Sequence, residues 1–431
     1  MPITQGDLSF RRALVNDDTT SNGGRITLAD VGTNLFPDVT GQQRQDGAVQ
    51  YRKAFLKNSD ADGNGYPALT LYDGKVFIQQ ISPAGDSIGV KAGTELDTYG
   101  SYAANETWKT LGWHGVGYFY PNPTGAGTPV DYAPVGATMV RVVCDQNWVS
   151  NNLFFPGTVL FDNGSGTSQF VTVSSVSLLG GTQNVVELTF ATTPLSYQFD
   201  CYAYSYTADA GGPGNKTDET HIGNATCNFG VDNNPALLNK LVLIKSGTGA
   251  GQIRRITGNT ATQLTVEYSW TTIPVSSTFV VLKTTISMCC PVGNVAASKY
   301  DFTVPNGKTF YDANVKIFAV GAIDETWTIR CVDAGPTYVW VEGATIGQVV
   351  GPEQNGSFPI AAGVKPANAF GQSFYFEIPF AAWGGGFDQN SVVTFKTKAA
   401  AKGIWVKRTV PVGCSAHLSN SWELSAAGDT V

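Results

Sequence analysis

The chain has 431 residues, which corresponds to about three domains at roughly 150 residues per domain. Charged residues make up only 14% of the sequence, while 49 residues are Gly and 21 are Pro, and this composition excludes a mainly helical protein. The net charge of −7 disfavours a surface that neutralises phosphates, so we expect no nucleic-acid partner and no membrane partner. The start of the chain lacks a signal peptide pattern, and no apolar run reaches the roughly 18 residues of a membrane span. We therefore expect a soluble chain that is not exported.

In chain order, short segments of alternating apolar and polar residues are separated by Gly, Asn, Asp and Pro, which predicts an all-β, multidomain fold. Residues 1–137 form a first region, predicted to be a β-rich attachment domain. Residues 138–206 and 236–294 each predict a small β-unit, either a barrel or a sandwich, with 207–235 between them as a linker or long loop. Residues 295–431 contain six strand-like runs and predict a C-terminal β-sandwich.

Two loops in these regions resemble ligand-binding motifs but lack essential parts. At 58–66, Asp and Asn residues alternate ahead of a Gly, as in the first half of an EF-hand calcium loop, yet Leu71 stands where the bidentate Glu belongs. At 247–252, GTGAGQ has the glycines of a phosphate loop but not the Lys that should follow. We interpret the first loop as a solvated turn and the second as a hairpin whose glycines take positive φ.

An internal repeat organises the middle of the chain. Residues 158–173 align with 241–256 at an offset of 83 residues, and the matches include two hairpin glycines and the Gln that follows them. After a gap of three residues, 185–199 aligns with 265–279 at an offset of 80. The matched glycines, Pro corner and inward aromatic residues predict two superposable β-units with the same strand order.

Seven cysteines occur in this chain, for which reduced and buried thiols are the usual state. Cys144, Cys201 and Cys331 alternate with apolar strand residues and are predicted to be core residues. The other four lie in the predicted linker or in turns, where a thiol could reach another chain in an oxidising medium. Free thiols are the alternative for this group. The possible intermolecular disulfide residues are Cys227, Cys289, Cys290 and Cys414.

The sequence contains no recognisable catalytic constellation. Its three His residues lie in different regions without metal-ligand spacing, and no Ser/His or Cys/His pair forms a local nucleophile motif. We therefore predict a protein that is not an enzyme and that uses no cofactor or metal. Its many Trp, Tyr and Phe residues could line a sugar-binding groove, although most fall at inward strand positions, which favours core packing.

Segments at both ends of the chain carry a resemblance to a known family. Residues 22–58 contain paired glycines before a Thr, an N-L-F-P-D run and a Y-R-K-A-F strand, and residues 403–424 contain a W-V-K-R-T-V-P strand and turn. Together they resemble virion structural proteins of contractile-tailed bacteriophages, including Mu-like ones. The segment G-T-G-A-G-Q-I-R-R-I-T-G-N, with its later W-T-T-I-P, is also similar to a unit that recurs in phage tail, neck and fibre proteins.

The resemblance implies an assembly role and carries no catalytic residue. We expect a homo-oligomeric, ring-forming subunit of the neck or collar, or another tail-associated protein, that bridges virion proteins such as neck, tail sheath or baseplate components. Such a chain resides in the virion after assembly in the cytoplasm of the bacterial host. The alternatives are a baseplate or capsid-decoration protein and a host-glycan-binding module of a tail fibre.

Overall fold

Antiparallel β-strands make up almost all of the regular structure in the computed structural model, which confirms the all-β prediction. The short helical segments in the described part are α1 (Gly41–Asp46), a π-helical turn (Tyr99–Ala103) and 3₁₀ turns at Asp312–Asn314 and Phe380–Ala382. No helix among the described residues combines the length and the apolar character that a membrane crossing requires. The structure describes residues 7–32, 34–58, 70–80, 82, 86–103, 116–120, 132–143, 156–180, 185–190, 194–200, 202–211, 214–296, 298–318, 323–368, 374–414 and 421–429.

The strands of the described residues are numbered in chain order. The first group is β1 (Leu8–Val15), β2 (Gly23–Asp30), β3 (Ala48–Asn58), β4 (Leu71–Gln80), β5 (Ser87–Ala92), β6 (Val116–Tyr120), β7 (Tyr132–Ala133), β8 (Met139–Val143), β9 (Gly157–Asp162), β10 (Ser168–Leu178) and β11 (Val185–Phe190). The second group is β12 (Phe199–Asp200), β13 (Tyr202–Thr207), β14 (His221–Gly223), β15 (Leu241–Ser246), β16 (Ile253–Asn259), β17 (Gln263–Val266), β18 (Thr278–Leu282), β19 (Thr285–Met288) and β20 (Cys290–Val295). The third group is β21 (Ser298–Thr303), β22 (Thr309–Phe310), β23 (Lys316–Ile317), β24 (Glu325–Cys331), β25 (Tyr338–Gly343), β26 (Gly347–Val349), β27 (Phe358–Pro359), β28 (Phe376–Glu377), β29 (Trp383–Gly385), β30 (Val392–Lys398), β31 (Ala401–Val410) and β32 (Glu423–Asp429).

The two ends of the chain meet in one five-stranded sheet with the order β2-β1-β3-β31-β5. Strands β3 and β31 pair along ten consecutive residues, beginning with Ala48 opposite Val410. A smaller sheet, β20-β4-β32, adds the last strand of the chain, and the two sheets together are termed the terminal module. The structure therefore corrects the predicted division between 1–137 and 295–431, because strands from both regions pair with each other. Pairing partners are set by burial and hydrogen bonding, which sequence order alone does not reveal.

The first β-unit is a closed six-stranded barrel in which the strands follow the cyclic order β9-β10-β11-β8-β6-β19. Val140, Phe161 and Leu188 are among the side chains buried inside it. The strand that closes the barrel, β19, comes from residues beyond the second β-unit, and it pairs with both β6 and β9. The second unit is therefore inserted into the first, which corrects the predicted limits 138–206 and 236–294.

The second unit, termed the inserted unit, repeats the strand order of the barrel. Its sheet has the order β13-β18-β15-β16-β17-β14. Strands β15, β16 and β17 take the places of β9, β10 and β11 in the barrel. Strands β14, β13 and β18 take the places of β8, β6 and β19, and the cyclic order is interrupted between β14 and β13. Its edge strands β13 and β14 approach each other, since the amide of Asp209 donates to the carbonyl of Gly223 (3.0 Å). The predicted equivalence of 158–199 and 241–279 is confirmed for the first three strands, β9-β10-β11 and β15-β16-β17. It is wrong for the fourth, because β12 pairs with β7 outside the barrel, whereas β18 pairs with β15 and β13, and the barrel strand in the place of β18 is β19.

The first hairpin of the repeat keeps its pairing register. Thr158 lies opposite Thr172 in the barrel, and the residues 83 positions later, Leu241 and Arg255, lie opposite each other in the inserted unit. In both units the register then shifts at the same place in the second strand. The offset of 83 residues therefore describes a structural equivalence.

The third strand departs from the predicted alignment. Ser175 lies opposite Thr189 in the barrel, whereas its equivalent, Gly258, lies opposite Thr265. Thr265 follows Thr189 by 76 residues, so the predicted offset of 80 is wrong for this strand. The slip of four residues keeps the same side chains facing inward, because side chains alternate along a strand with a period of two.

The described residues of the segment 207–235 are part of the inserted unit and do not form a linker. Strand β14 pairs with β17, and Cys227 and Phe229 lie in the core of the unit, where Phe229 contacts Phe279 (6.4 Å between ring centroids). Periodicity gave no signal here because the few apolar residues are separated by turns. The predicted linker is therefore corrected to a segment that completes a core.

The C-terminal unit is built on the sheet β21-β30-β24-β25-β26, with β27 also paired to β25. The short sheets β22-β29 and β23-β28 accompany it, and Trp327 of β24 packs against Phe376 of β28 (4.9 Å between ring centroids). This arrangement has the β-sandwich character that the sequence predicted. The unit ends at Lys398, after which the chain returns to the terminal module.

Each repeat carries a Gln that ties its glycine hairpin to the following corner. Gln169 accepts from the amide of Ser196 (2.8 Å) and donates to the carbonyl of Pro194 (3.3 Å). Gln252 donates to the carbonyl of Thr272 (2.7 Å) and accepts from the amide of the same residue (3.1 Å). The match between these two Gln residues in the sequence therefore reflects a shared structural bridge.

Replacing Gln252 with Ala is expected to weaken the inserted unit. The bridge contributes two net hydrogen bonds, so we expect the free energy of unfolding to fall by about 1–3 kcal/mol. Denaturant unfolding, together with hydrogen exchange over residues 241–282, measures the effect. The control is Gln348→Ala, an exposed position of the C-terminal unit. Equal effects of the two variants on exchange in 241–282 would contradict the bridge.

Candidate functional site

The structure buries three of the four predicted disulfide residues. Cys227 lies inside the inserted unit, while Cys289 and Cys290 lie where the barrel meets the terminal module, and each has 5% of its surface or less exposed. All four are free thiols. The expectation that Cys227, Cys289 and Cys290 could reach another chain is therefore wrong. The sequence predicted linker or turn positions for these residues, but other parts of the fold cover them.

Burial also sets the chemistry of these three thiols. It raises the pKa of Cys227 to about 11 and the pKa values of Cys289 and Cys290 to about 12. The thiolate is the reactive form, so these groups stay protonated and unreactive at neutral pH. Among the cysteines predicted to be core residues, Cys331 is fully buried as expected, and Cys144 and Cys201 lie outside the described residues.

Cys414 differs from the other three because it is half-exposed. It ends the turn that follows β31, and this turn is held by a hydrogen bond from the amide of Gly413 to the carbonyl of Arg44 (2.7 Å). Burial and the nearby charge of Asp86 raise the pKa of its thiol. An intermolecular disulfide at Cys414 stays a prediction.

Two exposed valines lie beside this turn. Val412 and Val49 are 73% and 51% exposed. Gly47, with a positive φ of 78°, stands directly before β3, and a Cβ placed on it would lie 3.1 Å from a methyl group of Val412. The turn of Cys414 therefore adjoins the start of β3, where Val49 lies.

The terminal module brings together the motifs quoted from the two ends of the sequence. Gly23 takes a positive φ of 107° and packs so tightly on Trp405 that a Cβ would lie 2.7 Å from the indole ring. On the same strands, Lys53 is completely buried and its Nζ lies 2.5 Å from Oδ1 of Asp97. The indole Nε1 of Trp405 donates to Oδ2 of Asp97 (3.0 Å).

A second contact group joins the N-L-F-P-D run to the last long strand. The ring of Phe36 lies under the guanidinium groups of Arg408 (4.8 Å) and Arg52 (5.5 Å). Nη2 of Arg408 donates to the carbonyl of Pro37 (2.7 Å), across 371 residues of sequence. Side chains of the two resembling segments are therefore in direct contact.

Sequence reasoning did not identify the pair of Lys53 and Asp97. A signal was present, because Lys53 stands inside an apolar strand, and a buried ammonium needs a charged or polar partner. The sequence could not name that partner, since Asp97 lies 44 residues away in an irregular segment.

The C-terminal sheet carries a groove of about 440 Å³ near the bulge between β21 and β30. Asp301 takes a positive φ of 55° at this bulge, and its carboxylate pairs with Nζ of Lys396 (2.8 Å). The ammonium groups of Lys396 and Lys398 lie 5.9 and 5.7 Å from the ring of Tyr300. The groove is lined by Asp301, Phe302, Thr303, Thr326, Thr394, Phe395 and Lys396.

This lining offers threonine hydroxyl groups and an ion pair on one concave surface, and these groups can exchange hydrogen bonds with the hydroxyls of a neutral polar ligand such as a sugar. Its two aromatic rings belong to the core, because Phe395 is completely buried and Phe302 stacks on it (4.8 Å between ring centroids). Among the inward aromatic residues predicted from the sequence, Trp327 and Trp405 are also completely buried. Core packing is confirmed for these two.

Of the two loops with incomplete ligand motifs, the structure describes the glycine-rich one in full. Gly247, Gly249 and Gly251 take positive φ values of 89°, 78° and 87° in the hairpin between β15 and β16, as predicted for GTGAGQ. The aspartate-rich turn at 58–66 lies outside the described residues from position 59 onward. Within the described ranges, no three His, Cys, Asp or Glu residues are grouped so that they could hold a metal ion.

Comparison with known proteins identifies no relative of this chain. No family model matches it, and neither a curated protein nor a solved structure is significantly similar to it.

Alkylation of the native protein is expected to modify Cys414 before the other described cysteines. Cys414 is half-exposed, whereas the protonated thiols of Cys227, Cys289 and Cys290 are inaccessible. The pKa of Cys414 is raised, so its rate should increase steadily from pH 7 to above pH 8. Peptide mapping after brief iodoacetamide treatment measures this order. If Cys289 in the folded protein were labelled as fast as Cys414, the buried position of Cys289 would be contradicted.

Proposed function

We propose that this chain is a structural subunit of a bacteriophage virion, a ring-forming neck or collar protein or another tail-associated protein that bridges neighbouring virion proteins. The observation that carries the proposal is the joining of the two resembling segments. Strands β2 and β3 of the first segment and β31 of the second lie in one sheet, and the two segments share the contacts of Trp405 and Arg408. A resemblance spread over both ends of the sequence thus belongs to a single module.

The terminal module acts as a hub, which supports a bridging role. Ser287 of the barrel donates to the carbonyl of Ile78 in this module (2.9 Å). On the other side, Asp324 of the C-terminal unit accepts from the amide of Ala399 (2.8 Å) and is ion-paired with Lys402 of β31. A subunit that holds separate β-units on one hub can present a different surface to each neighbour.

The role requires no turnover, cofactor or metal. Its partners are other virion proteins, among them neck, tail sheath or baseplate components, and further copies of the chain in a homo-oligomeric ring. Assembly takes place in the cytoplasm of the bacterial host. The half-exposed thiol of Cys414 beside exposed Val412 is where a covalent lock between subunits would form once the particle enters an oxidising medium.

Labelling of purified phage particles tests this proposal. Antibody raised against the chain is expected to mark a band at the junction of head and tail, and native mass spectrometry of the purified protein should give one closed oligomer. Label at the distal tail tip would favour the baseplate alternative over the collar, and label over the head would favour the capsid-decoration alternative. Particles without label would overturn the virion assignment, and a monomer at micromolar concentration would overturn the ring.

A host-glycan-binding module is the second candidate, and the groove of the C-terminal unit favours it. If the groove binds a surface polysaccharide, Lys396→Ala should weaken micromolar binding about tenfold or more, because it removes the ion pair that shapes the wall. Lys365→Ala breaks another ion pair of the same unit and is the control. Glycan arrays and calorimetry provide the measurement. Equal loss in both variants, or no glycan bound by the wild-type chain, counts against this function.

A further inference from the structure

The buried contact between Lys53 and Asp97 is arranged as a reactive pair. Nζ of Lys53 lies 2.5 Å from Oδ1 of Asp97. The carboxyl carbon is one covalent bond from that oxygen, so the nitrogen is within reach of the atom that it would attack. Among the described residues, the close polar neighbour of Oδ1 is this nitrogen.

The other contacts of the Lys53 nitrogen suit a neutral amine. Nζ donates to the carbonyl of Gly24 (2.7 Å) and to the carbonyl of Asp97 (2.9 Å). A neutral amine has two N–H groups, so both are used and the lone pair is left for the carboxyl group. Burial lowers the pKa of Lys53, although the charges of Asp97 and Glu95 act to raise it. Burial is also the means by which lysines become nucleophiles in proteins.

The surroundings hold the acceptor in place and exclude water. Nε1 of Trp405 donates to Oδ2 of Asp97 (3.0 Å), so it can stabilise negative charge on that oxygen when the carbon becomes tetrahedral. The ring centroids of Phe55 and Trp405 lie 4.9 and 5.9 Å from Nζ. The side chain of Lys53 has no exposed surface and that of Asp97 only 6%. The water that would hydrolyse an intermediate is kept out.

We propose that Lys53 and Asp97 form an intramolecular amide bond between Nζ and Cγ. The ammonium first passes one proton to the carboxylate, which leaves a neutral amine and a carboxylic acid. The amine lone pair attacks Cγ and the C–N bond forms. A C–O bond then breaks, and the hydroxyl group leaves with a proton from the nitrogen as one molecule of water. The step needs no oxidant, reductant or cofactor.

The bond would join β3 to the segment after β5, across 44 residues, beside the strand that brings in the other end of the chain. A covalent link of this kind restricts the unfolded chain much as a disulfide does, but it resists reducing agents. For a subunit that carries load between partners, this removes one route by which the hub could open. The inference stands independently of the proposed function.

Lys91 is the competing nucleophile. In the sheet, Trp405 pairs with Lys53 on one side and with Lys91 on the other. Lys91 is only 1% exposed. Burial lowers the pKa of Lys91, and the charge of Asp97 acts to raise it. The short contact to the Asp97 carboxyl group belongs to Lys53. The assignment therefore distinguishes between two lysines on the same sheet face.

Mass spectrometry of the denatured full-length chain tests the bond. We expect a mass below that of the sequence by one water molecule, and proteolysis should release a branched peptide that joins Lys53 to Asp97. An unmodified mass would overturn the proposal. So would a loss of water that disappears on hydroxylamine treatment, because that marks a succinimide at Asp97, and so would a branch that maps to Lys91.

Variants provide the matched controls. The double variant Lys53→Met/Asp97→Leu removes both buried charges together, so it avoids an unpaired charge in the core and should keep the full mass of its own sequence. Lys91→Met should still lose one water. If Lys91→Met abolishes the loss and the double variant retains it, the assignment to Lys53 is wrong. Circular dichroism of each variant establishes that the β-fold is present.

Discussion

Burial of charge in the terminal module is the constraint on which the rest of the structure depends. Lys53 has no exposed surface, and its partners come from three distant parts of the sequence: the carbonyl of Gly24, the carboxylate of Asp97 and, through that carboxylate, the indole of Trp405. Leaving one member of such a pair unpaired typically costs about 3–5 kcal/mol. The site is therefore complete only when both ends of the chain have folded onto it. The barrel and the C-terminal unit are then attached to a hub that neither end forms alone.

The repeated units show which parts of a β-fold are encoded locally. The hairpin of β9 and β10 and the hairpin of β15 and β16 keep the same register, because glycine turns and alternating residues fix them within a short stretch of sequence. Closure of the barrel is not encoded locally. The strand that closes it, β19, follows the whole inserted unit in the sequence, and bringing such distant strands together costs chain entropy. The sheet of the inserted unit ends at β13 and β14, which have no ladder between them, and the amide of Asp209, just after β13, donates to the carbonyl of Gly223 in β14.

The distribution of thiols follows from this architecture. Cys289 and Cys290 stand where the barrel adjoins the terminal module, and Cys227 fills the core of the inserted unit, so all three behave as small apolar residues. Protonated and covered thiols do not exchange with disulfides, because exchange needs an accessible thiolate. A change between reducing and oxidising media is therefore not expected to alter these three sites. Among the described cysteines, Cys414 is the accessible one.

The sequence by itself determined the all-β class, the glycine hairpins, the existence of the repeat and the burial of Cys331, because each depends on a period or a turn that is read within a few residues. It misassigned the third strand of the repeat by four residues, since a slip by an even number leaves the inward pattern unchanged. It also placed Cys289 in an accessible turn and separated the two ends of the chain into two domains. Only the tertiary structure decided those points, and it alone brought Asp97 and Trp405 to Lys53, because strand partners and buried charge pairs are selected by contacts between residues that lie far apart in the sequence.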